Sequence, residues 1–204
     1  MSKAEPGTPG EIPEVYERVA REWDRGRTRV LFERSWLERF RARVAPGSAV
    51  LDLGCGSGEP IGHWLIDAGY RVTGVDIAEA MLAICRRRWP GGEWIRADMR
   101  HLDLGRRFGG IIAWDSFFHL AADDQRAMFP VFARHLEKGG ALLFTSGPDS
   151  SEAVGSVGGL PVYHASLSPA DYAGVMEEAG LVVRAFIAED PDCDRHSVWL
   201  AERR

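Results

Sequence analysis

Apolar positions along the chain alternate between two spacings, and this alternation predicts an α/β protein. Short apolar runs that suit buried strands fall at residues 49–53, 71–76, 93–97, 110–114, 141–147, 181–190 and 196–203. Apolar residues at helical spacing fall between them, at residues 61–68, 78–89, 121–137 and 168–179. The last two strands follow each other directly, so we expect that pair to be antiparallel within a mostly parallel sheet.

Two helices precede the first strand. Helical spacing of apolar residues predicts one helix that begins near Pro13 and a second over residues 28–44, which Pro46 and Gly47 end. Residues 1–11 contain two Pro-Gly pairs and are expected to form a loose tail. The sequence therefore predicts one domain over residues 12–204, with a helical cap over 12–46. Within it, the glycine-rich stretch 147–162 is expected to be a mobile loop.

Three glycines, at positions 54, 56 and 58, separate the first strand from the helix that follows it. Glycine adopts positive φ and lets a ligand lie against bare main chain, while the start of a helix attracts a carboxylate or a phosphate. A dinucleotide fingerprint would place its third glycine at position 59, where this chain has Glu59. The turn therefore predicts a ligand site that departs from the dinucleotide pattern.

Two other positions follow from the expected topology. Asp76 ends the second strand about twenty residues after the glycine turn, where an acidic side chain can accept hydrogen bonds from ribose hydroxyls. Ligands of open α/β sheets bind outside the carboxyl ends of the strands, where the strand order reverses. Strands one and four flank that point, so we expect residues 114–119 to face the reacting groups.

The segment VLDLGCGSG, residues 50–58, resembles the first motif of the class I S-adenosylmethionine-dependent methyltransferases. The resemblance implies a single Rossmann-like domain whose seven-stranded sheet has the order 3-2-1-4-5-7-6, with strand seven antiparallel and helices on both faces. It also implies S-adenosyl-L-methionine as cofactor, S-adenosyl-L-homocysteine as product, and adenine contacts at Asp98 and Met99. The expected cofactor-binding residues are Asp52, Gly54, Cys55, Gly56, Gly58, Asp76, Ile77, Met81, Asp98, Met99, Arg100, Trp114, Asp115 and Ser116.

Aromatic side chains near the same face predict a ring-lined acceptor pocket. Its expected members are Tyr16, Trp23, Phe117, Phe118 and Tyr163. A weak acceptor such as a hydroxyl needs a base; His119 is the best-placed candidate and His164 the second, while Asp115 is expected to orient a base or hold the acceptor. Residues 114–119 lack the Asp-Pro-Pro-Tyr signature of methylation on bases and glutamine. We therefore expect a small organic acceptor, whose attacking O, N, S or C atom stays open.

Composition narrows the choice of partners. The formal net charge of -5 and the lack of a basic stripe argue against a nucleic-acid partner. The three cysteines, at positions 55, 85 and 193, have no CxxC spacing, and no metal-ligand cluster is visible, so no metal is expected. No segment has the length or apolarity of a signal peptide or a membrane span, which favours a cytoplasmic protein without a membrane partner. A monomer and a homodimer are both compatible with the sequence.

Two functions from other classes stay open. The first is a protein that binds S-adenosylmethionine without catalysis, as a regulator or partner subunit, because intact ligand motifs do not require turnover. The second is an NAD-dependent oxidoreductase, which Glu59 disfavours at the position of the third glycine.

Overall fold

The computed structural model describes residues 7–204 and consists of a central sheet with helices on both faces. The strands are β1 (Ala49–Leu53), β2 (Arg71–Asp76), β3 (Glu93–Arg96), β4 (Phe108–Ala113), β5 (Leu136–Ser146), β6 (Ser151–Val157), β7 (Leu160–Ser166), β8 (Leu181–Asp190) and β9 (His196–Arg203). The helices are α1 (Ile12–Gly26), α2 (Arg34–Arg41), α3 (Ile61–Asp67), α4 (Glu79–Arg88), α5 (Ala122–His135) and α6 (Pro169–Glu178).

Seven strands form the main sheet in the order β3-β2-β1-β4-β5-β9-β8. All neighbouring pairs among β1 to β5 are parallel, and β9 is antiparallel to both β5 and β8. With β8 and β9 counted as strands six and seven, the predicted order and the predicted reversed strand are confirmed. The order reverses between β1 and β4, so the carboxyl ends of these two strands border the ligand crevice of such a sheet.

Alternate residues of each strand point to opposite faces of the sheet, and a separate apolar core covers each face. Leu51 and Leu53 of β1 pack in the core formed with α5 and α6. Val50 packs on the other face, in the core formed with α2, α3 and α4. Since both faces are covered, apolar residues dominate the central strands β1 and β4, which is why the sequence identified them.

The stretch expected to be a mobile loop, 147–162, is instead mostly a hairpin outside the main sheet. Strands β6 and β7 pair in continuous antiparallel register, from Ser151 with Ser166 to Val157 with Leu160. Gly158 and Gly159 form the two-residue connection, both with positive φ (56° and 75°). This turn needs positive φ at both central positions, so the Gly-Gly pair is a hairpin signal that the loop prediction overlooked.

The segment before β1 also differs from its prediction. Residues 1–6 of the expected tail lie outside the described residues, but Gly7 to Glu11 are ordered. The Glu11 carboxylate accepts the backbone N–H groups of Gly7 (2.7 Å) and Thr8 (2.9 Å), which fixes a single turn over Pro9–Glu11. The second helix, expected over 28–44, is only the eight residues of α2, because extended backbone at Arg27 ends α1 and residues 28–33 cross to the next helix without helical structure.

Candidate active site at the carboxyl ends of the strands

A cavity lies outside the carboxyl ends of β1 to β4, and α1 covers it. Its walls come from the glycine turn after β1, the residues after β2, β3 and β4, and the inner face of α1. The predicted site residues that line it are Tyr16, Trp23, Asp52, Gly54, Cys55, Gly56, Gly58, Asp76, Ile77, Met81, Asp98, Met99, Arg100, Trp114, Asp115, Ser116 and His119. The fold thus brings together the ends of four strands that sequence reasoning had assigned to one site.

The glycine turn has a conformation that only glycine adopts without strain. Gly54, Gly56 and Gly58 have φ values of 72°, 53° and 77°. A Cβ atom at Gly54 would lie 2.2 Å from the Ser116 Cβ, and one at Gly58 would lie 2.6 Å from the Trp89 ring. At Gly56 a Cβ atom would meet nothing within 4 Å, because this residue borders the open cavity. The turn therefore presents bare main chain to a ligand.

Asp76 ties the glycine turn to the end of β2. Its Oδ2 accepts the N–H of Gly56 at 2.8 Å, and its Oδ1 accepts the N–H of Ala78 at 2.9 Å. Each oxygen keeps a further lone pair, so the carboxylate can still accept hydrogen bonds from a ligand in the cavity. Burial raises the pKa of Asp76 above its usual range, and the hydrogen bonds from the main chain oppose that shift.

Asp52 is the most deeply buried carboxyl group of the cavity wall, with 4% of its surface exposed. Burial, and then the charge of Asp76, raise the pKa of Asp52 to about 7, while Arg27 opposes them. Such a carboxyl group is partly protonated near neutral pH, and a bound cation would favour its ionised form. Asp52 therefore places on the cavity wall a carboxyl group whose charge depends on what is bound there.

The residues after β3 form a polar edge of the cavity. Arg100 donates to Asp98 from its backbone N–H (3.0 Å) and from its guanidinium group, which also reaches Asp124 at 3.1 Å. Burial alone would raise the pKa of Asp98, but the hydrogen bonds from Arg100 lower it below its usual range. Asp98 is thus ionised, and an adenine amino group at this edge would share the carboxylate with Arg100.

Tyr16 and His119 form a hydrogen-bonded pair where α1 meets the turn after β4. His119 Nδ1 lies 2.8 Å from the Tyr163 carbonyl oxygen, which can only accept, so Nδ1 carries the proton. His119 Nε2 then accepts the Tyr16 hydroxyl at 2.9 Å. Burial lowers the pKa of His119 to about 4, so the imidazole is neutral near pH 7. The pair presents the Tyr16 oxygen, with its remaining lone pairs, to the cavity.

The structure places four other predicted site residues away from the cavity wall. Phe117 is fully buried in the core among aromatic rings of α5 and β5. Phe118 packs on His119 and His164 behind the wall. Tyr163 contributes its carbonyl oxygen to His119, and His164 stacks on His119 at 4.9 Å between ring centres. The predicted pocket residues Phe117, Phe118 and Tyr163 and the second candidate base, His164, thus lie outside the cavity wall. For Phe117 and Phe118 the reason is the turn Phe117–His119, which sends consecutive side chains in different directions.

Sequence reasoning missed several residues of the wall, and Arg27 is the most polar of them. Its guanidinium donates to the Glu59 carbonyl oxygen at 2.9 Å and lies 5.5 Å from the centre of the Trp23 ring. The other missed residues are Pro9, Ile12, Pro13, Ser57, Glu59, Ile61, Gly62, Val75, Ala97 and Leu120. No sequence signal identified Arg27, because its place depends on how the end of α1 packs over the glycine turn.

One ion pair and one hydrogen bond to α4 hold α1 over the site. The Arg88 guanidinium of α4 binds both carboxylate oxygens of Asp24 near the end of α1. The Glu17 carboxylate accepts the N–H of Ala80 at 3.1 Å, at the start of α4. The N-terminal cap is thus attached to the helix that follows Asp76.

Residues 7–204 contain no group of three or more His, Cys, Asp or Glu side chains arranged to hold a metal ion. No helix in that range has the length and apolarity needed to cross a membrane.

Comparisons with known proteins show what the chain is similar to. Residues 50–140 match the family model described as a methyltransferase domain. The chain is 34% identical over 136 residues to a dTDP-3-amino-3,6-dideoxy-alpha-D-glucopyranose N,N-dimethyltransferase of Streptomyces fradiae, a match covering 66% of this chain and 52% of that protein. It is 32% identical over 105 residues to a dTDP-3-amino-3,4,6-trideoxy-alpha-D-glucopyranose N,N-dimethyltransferase of Streptomyces venezuelae. That match covers 50% of this chain and 44% of that protein. The chain thus spans about half the length of these curated relatives.

The fold also resembles that of solved methyltransferase structures. A solved structure of CalS10, an amino pentose methyltransferase from Micromonospora echinaspora with bound S-adenosylmethionine, superposes with a TM-score of 0.70 at 20% identity, covering 93% of this chain and 97% of that one. The match of residues 50–140 to a methyltransferase domain confirms the resemblance to the class I S-adenosylmethionine-dependent methyltransferases, and the superposition shows that the fold is shared. The bare main chain at Gly56, the lone pairs of Asp76 and the buried Asp52 carboxyl group suit the cofactor of that class.

Proposed function

We propose that this protein transfers the methyl group of S-adenosylmethionine to the amine nitrogen of a small organic acceptor. The observation that carries the proposal is the single cavity that joins the glycine turn and Asp76 to the Tyr16–His119 pair. The first end has groups suited to a nucleoside, and the second end has groups suited to a reacting amine. The relatives named as N,N-dimethyltransferases of amino sugars support a nitrogen acceptor.

The chain's own residues would hold the cofactor from three sides. Main-chain N–H groups of the glycine turn would bind its carboxylate, Asp76 would accept hydrogen bonds from its ribose hydroxyls, and the residues around Met99 would pack on its adenine. The wall carries five acidic side chains, Asp52, Glu59, Asp76, Asp98 and Asp115, against Arg27 and Arg100. This excess of negative charge favours a cationic ligand.

Bound there, S-adenosylmethionine supplies a methyl group on a positively charged sulfur. The acceptor nitrogen would form the new N–C bond with its lone pair as the C–S bond breaks and its electron pair stays on sulfur. Positive charge thus moves from sulfur to nitrogen, and the product ammonium later releases a proton to water. Attack needs an unprotonated nitrogen held in line, so orientation is the main task of the protein.

The Tyr16–His119 pair favours an amine over a hydroxyl acceptor. His119 with a pKa of about 4 is too weak a base to take the proton of an aliphatic hydroxyl. A neutral amine has its own lone pair and needs only a hydrogen-bond acceptor for one N–H. The Tyr16 oxygen, whose proton is donated to His119, fits that task. In this proposal His119 holds Tyr16 in place and does not act as the base expected from the sequence.

Two measurements test the proposal. Calorimetry should find binding of S-adenosylmethionine and S-adenosylhomocysteine and none of NAD. Mass spectrometry should then find a methyl group transferred to an amine, with matched alcohols and carboxylates left unmodified; the substrate in the name of the Streptomyces fradiae relative is a suitable first amine. Cofactor binding without transfer to any amine would favour a non-catalytic binding protein, and binding of NAD alone would refute the cofactor assignment.

A further inference from the structure

Asp115 occupies a strained position at the end of β4, on the cavity wall. Its φ of 48° lies in the left-handed region, which is uncommon for a residue with a side chain. The Thr145 hydroxyl accepts its N–H at 2.9 Å. Backbone strain of this kind persists only where surrounding contacts enforce it, and it recurs at binding sites.

His196, the first residue of β9, holds the Asp115 side chain. His196 Nε2 lies 3.1 Å from Asp115 Oδ1, and the other ring nitrogen, Nδ1, donates to the Cys193 carbonyl oxygen at 3.0 Å. The His196 ring is stacked on Trp114, with 5.7 Å between ring centres, and packs against Phe32 at 5.2 Å. The imidazole is therefore fixed by hydrogen bonds at both ring nitrogens and by packing against two aromatic rings.

The charge state of His196 makes the contact an ion pair. Burial lowers its pKa, but the hydrogen bond and the charge of Asp115 outweigh burial and raise the pKa of His196 to about 9. Near neutral pH the His196 imidazolium thus donates to Oδ1 of Asp115. The buried Glu33 carboxyl group lies near enough for the pair to act on it: burial raises the pKa of Glu33, the charge of Asp115 adds to that shift, and the charge of His196 opposes it.

The ion pair leaves one oxygen of Asp115 for a ligand. Oδ1 receives the hydrogen bond from His196 and lies 3.5 Å from the Thr145 hydroxyl. Within residues 7–204, Oδ2 accepts no hydrogen bond, while the side chain keeps 22% of its surface exposed and lines the cavity. A carboxylate only accepts hydrogen bonds, so a donor group on a ligand satisfies Oδ2 and a second carboxylate does not.

We propose that the Asp115–His196 pair selects the acceptor: Asp115 binds an amine N–H of the acceptor directly, and His196 is the positioning residue that aims the carboxylate. This assignment rests on the proposed function for the identity of the ligand, but the chemistry of the Asp115 carboxylate requires only that the ligand carry a hydrogen-bond donor. As positive charge develops on the nitrogen, the ionised carboxylate stabilises it. An acceptor whose reacting end is a carboxylate meets an anion at the same place and is excluded.

A binding experiment tests the pair without turnover. The protein is saturated with S-adenosylhomocysteine and titrated with cyclohexylamine, cyclohexanol and cyclohexanecarboxylate, and binding is followed by saturation-transfer NMR. The amine should bind at least tenfold more tightly than the carboxylate. Equal binding of the amine and the carboxylate, or no binding of either, would overturn the proposal.

Variants separate positioning from structure. Asp115→Asn keeps the shape and tolerates positive φ, so it should fold and, once saturated with S-adenosylhomocysteine, bind the amine at least tenfold more weakly. His196→Gln should weaken binding of the amine about threefold to tenfold in the wild-type background. It should cause no further loss of affinity in Asp115→Asn, because His196 acts through Asp115. His135→Gln is the control, since that buried histidine bonds Leu104 and Val131 away from the cavity. Additive losses in the double variant would refute the positioning role.

One measurement on the wild-type protein needs no variant. The His196 ring protons should titrate near pH 9, and a midpoint near 6.5 would mean that the pair does not form. Selective binding of the amine through Asp115 with no methyl transfer to any amine would refute the proposed function and leave this assignment in place. Methyl transfer to an amine at an unchanged rate in Asp115→Asn would refute this assignment and leave the proposed function in place.

Discussion

The hydrogen bonds of Asp76 allow the effect of Asp76→Ala to be worked out. In the free protein the variant removes the acceptors of the Gly56 and Ala78 N–H groups, so the glycine turn loses its anchor to β2. In the complex it also removes the acceptors of two ribose hydroxyls. A hydrogen bond to a charged group contributes about 1.5–3 kcal/mol, and two such bonds, discounted because they are not additive, give about 2–4 kcal/mol.

That free energy corresponds to an increase of about 30-fold to about 900-fold in the dissociation constant of the cofactor. Calorimetry with S-adenosylhomocysteine measures it directly, and thermal unfolding checks that the variant is folded. Asp76→Asn keeps one carbonyl oxygen and should lose less affinity than the alanine variant. Asp67→Ala is the matched control, because Asp67 lies at the exposed end of α3 with 71% of its side chain exposed. A folded Asp76→Ala protein that binds within twofold of wild type would refute the ribose assignment.

Three further predictions follow from other contacts. Tyr16→Phe should keep the affinity for S-adenosylhomocysteine but slow methyl transfer about tenfold or more, because His119 loses its partner and the amine loses the Tyr16 oxygen; an unchanged rate on a methylated amine would contradict this. Phe117→Ala should lower the free energy of unfolding by about 3–5 kcal/mol in urea titrations, as expected for a fully buried ring; a loss below about 1 kcal/mol would mean that the ring is not in the core. The pKa of His119, about 4 when folded, lies below its ordinary value of 6.5, so the unfolded chain binds more protons between these pH values. The stability of wild type relative to His119→Gln should therefore fall by about 3 kcal/mol as pH falls from 6.5 to 4, and a difference that does not vary with pH would show that His119 titrates normally.

The main sheet was largely predictable because its signals are local. The bounds of β1, β2, β8 and β9 agree with the predicted runs, since the spacing of apolar residues along a strand is a local signal. The β6–β7 hairpin was missed for the opposite reason. Its first strand is mostly exposed, so it carries no apolar run, and only Gly158–Gly159 marks the turn.

The residues of the site likewise differ in how far local signals predicted them. Asp76 and the glycine turn were predictable because both follow directly from strand ends and from the φ values that glycine permits. The direction of the side chains after β4 was not predictable from the sequence. Phe117 and His119 are two residues apart, yet one lies in the core and the other on the cavity wall, because a turn of three residues rotates each side chain by about a third of a circle.

The sequence by itself determined the order of strands and helices, the glycine turn and the acidic residue after β2, since these depend on neighbours along the chain. Only the tertiary structure decided which polar groups meet. Tyr16 and His119 are 103 residues apart, and His196 reaches Asp115 only because β9 inserts between β5 and β8. Such contacts depend on the packing of whole elements, which also sets the burial that makes His119 neutral and His196 charged.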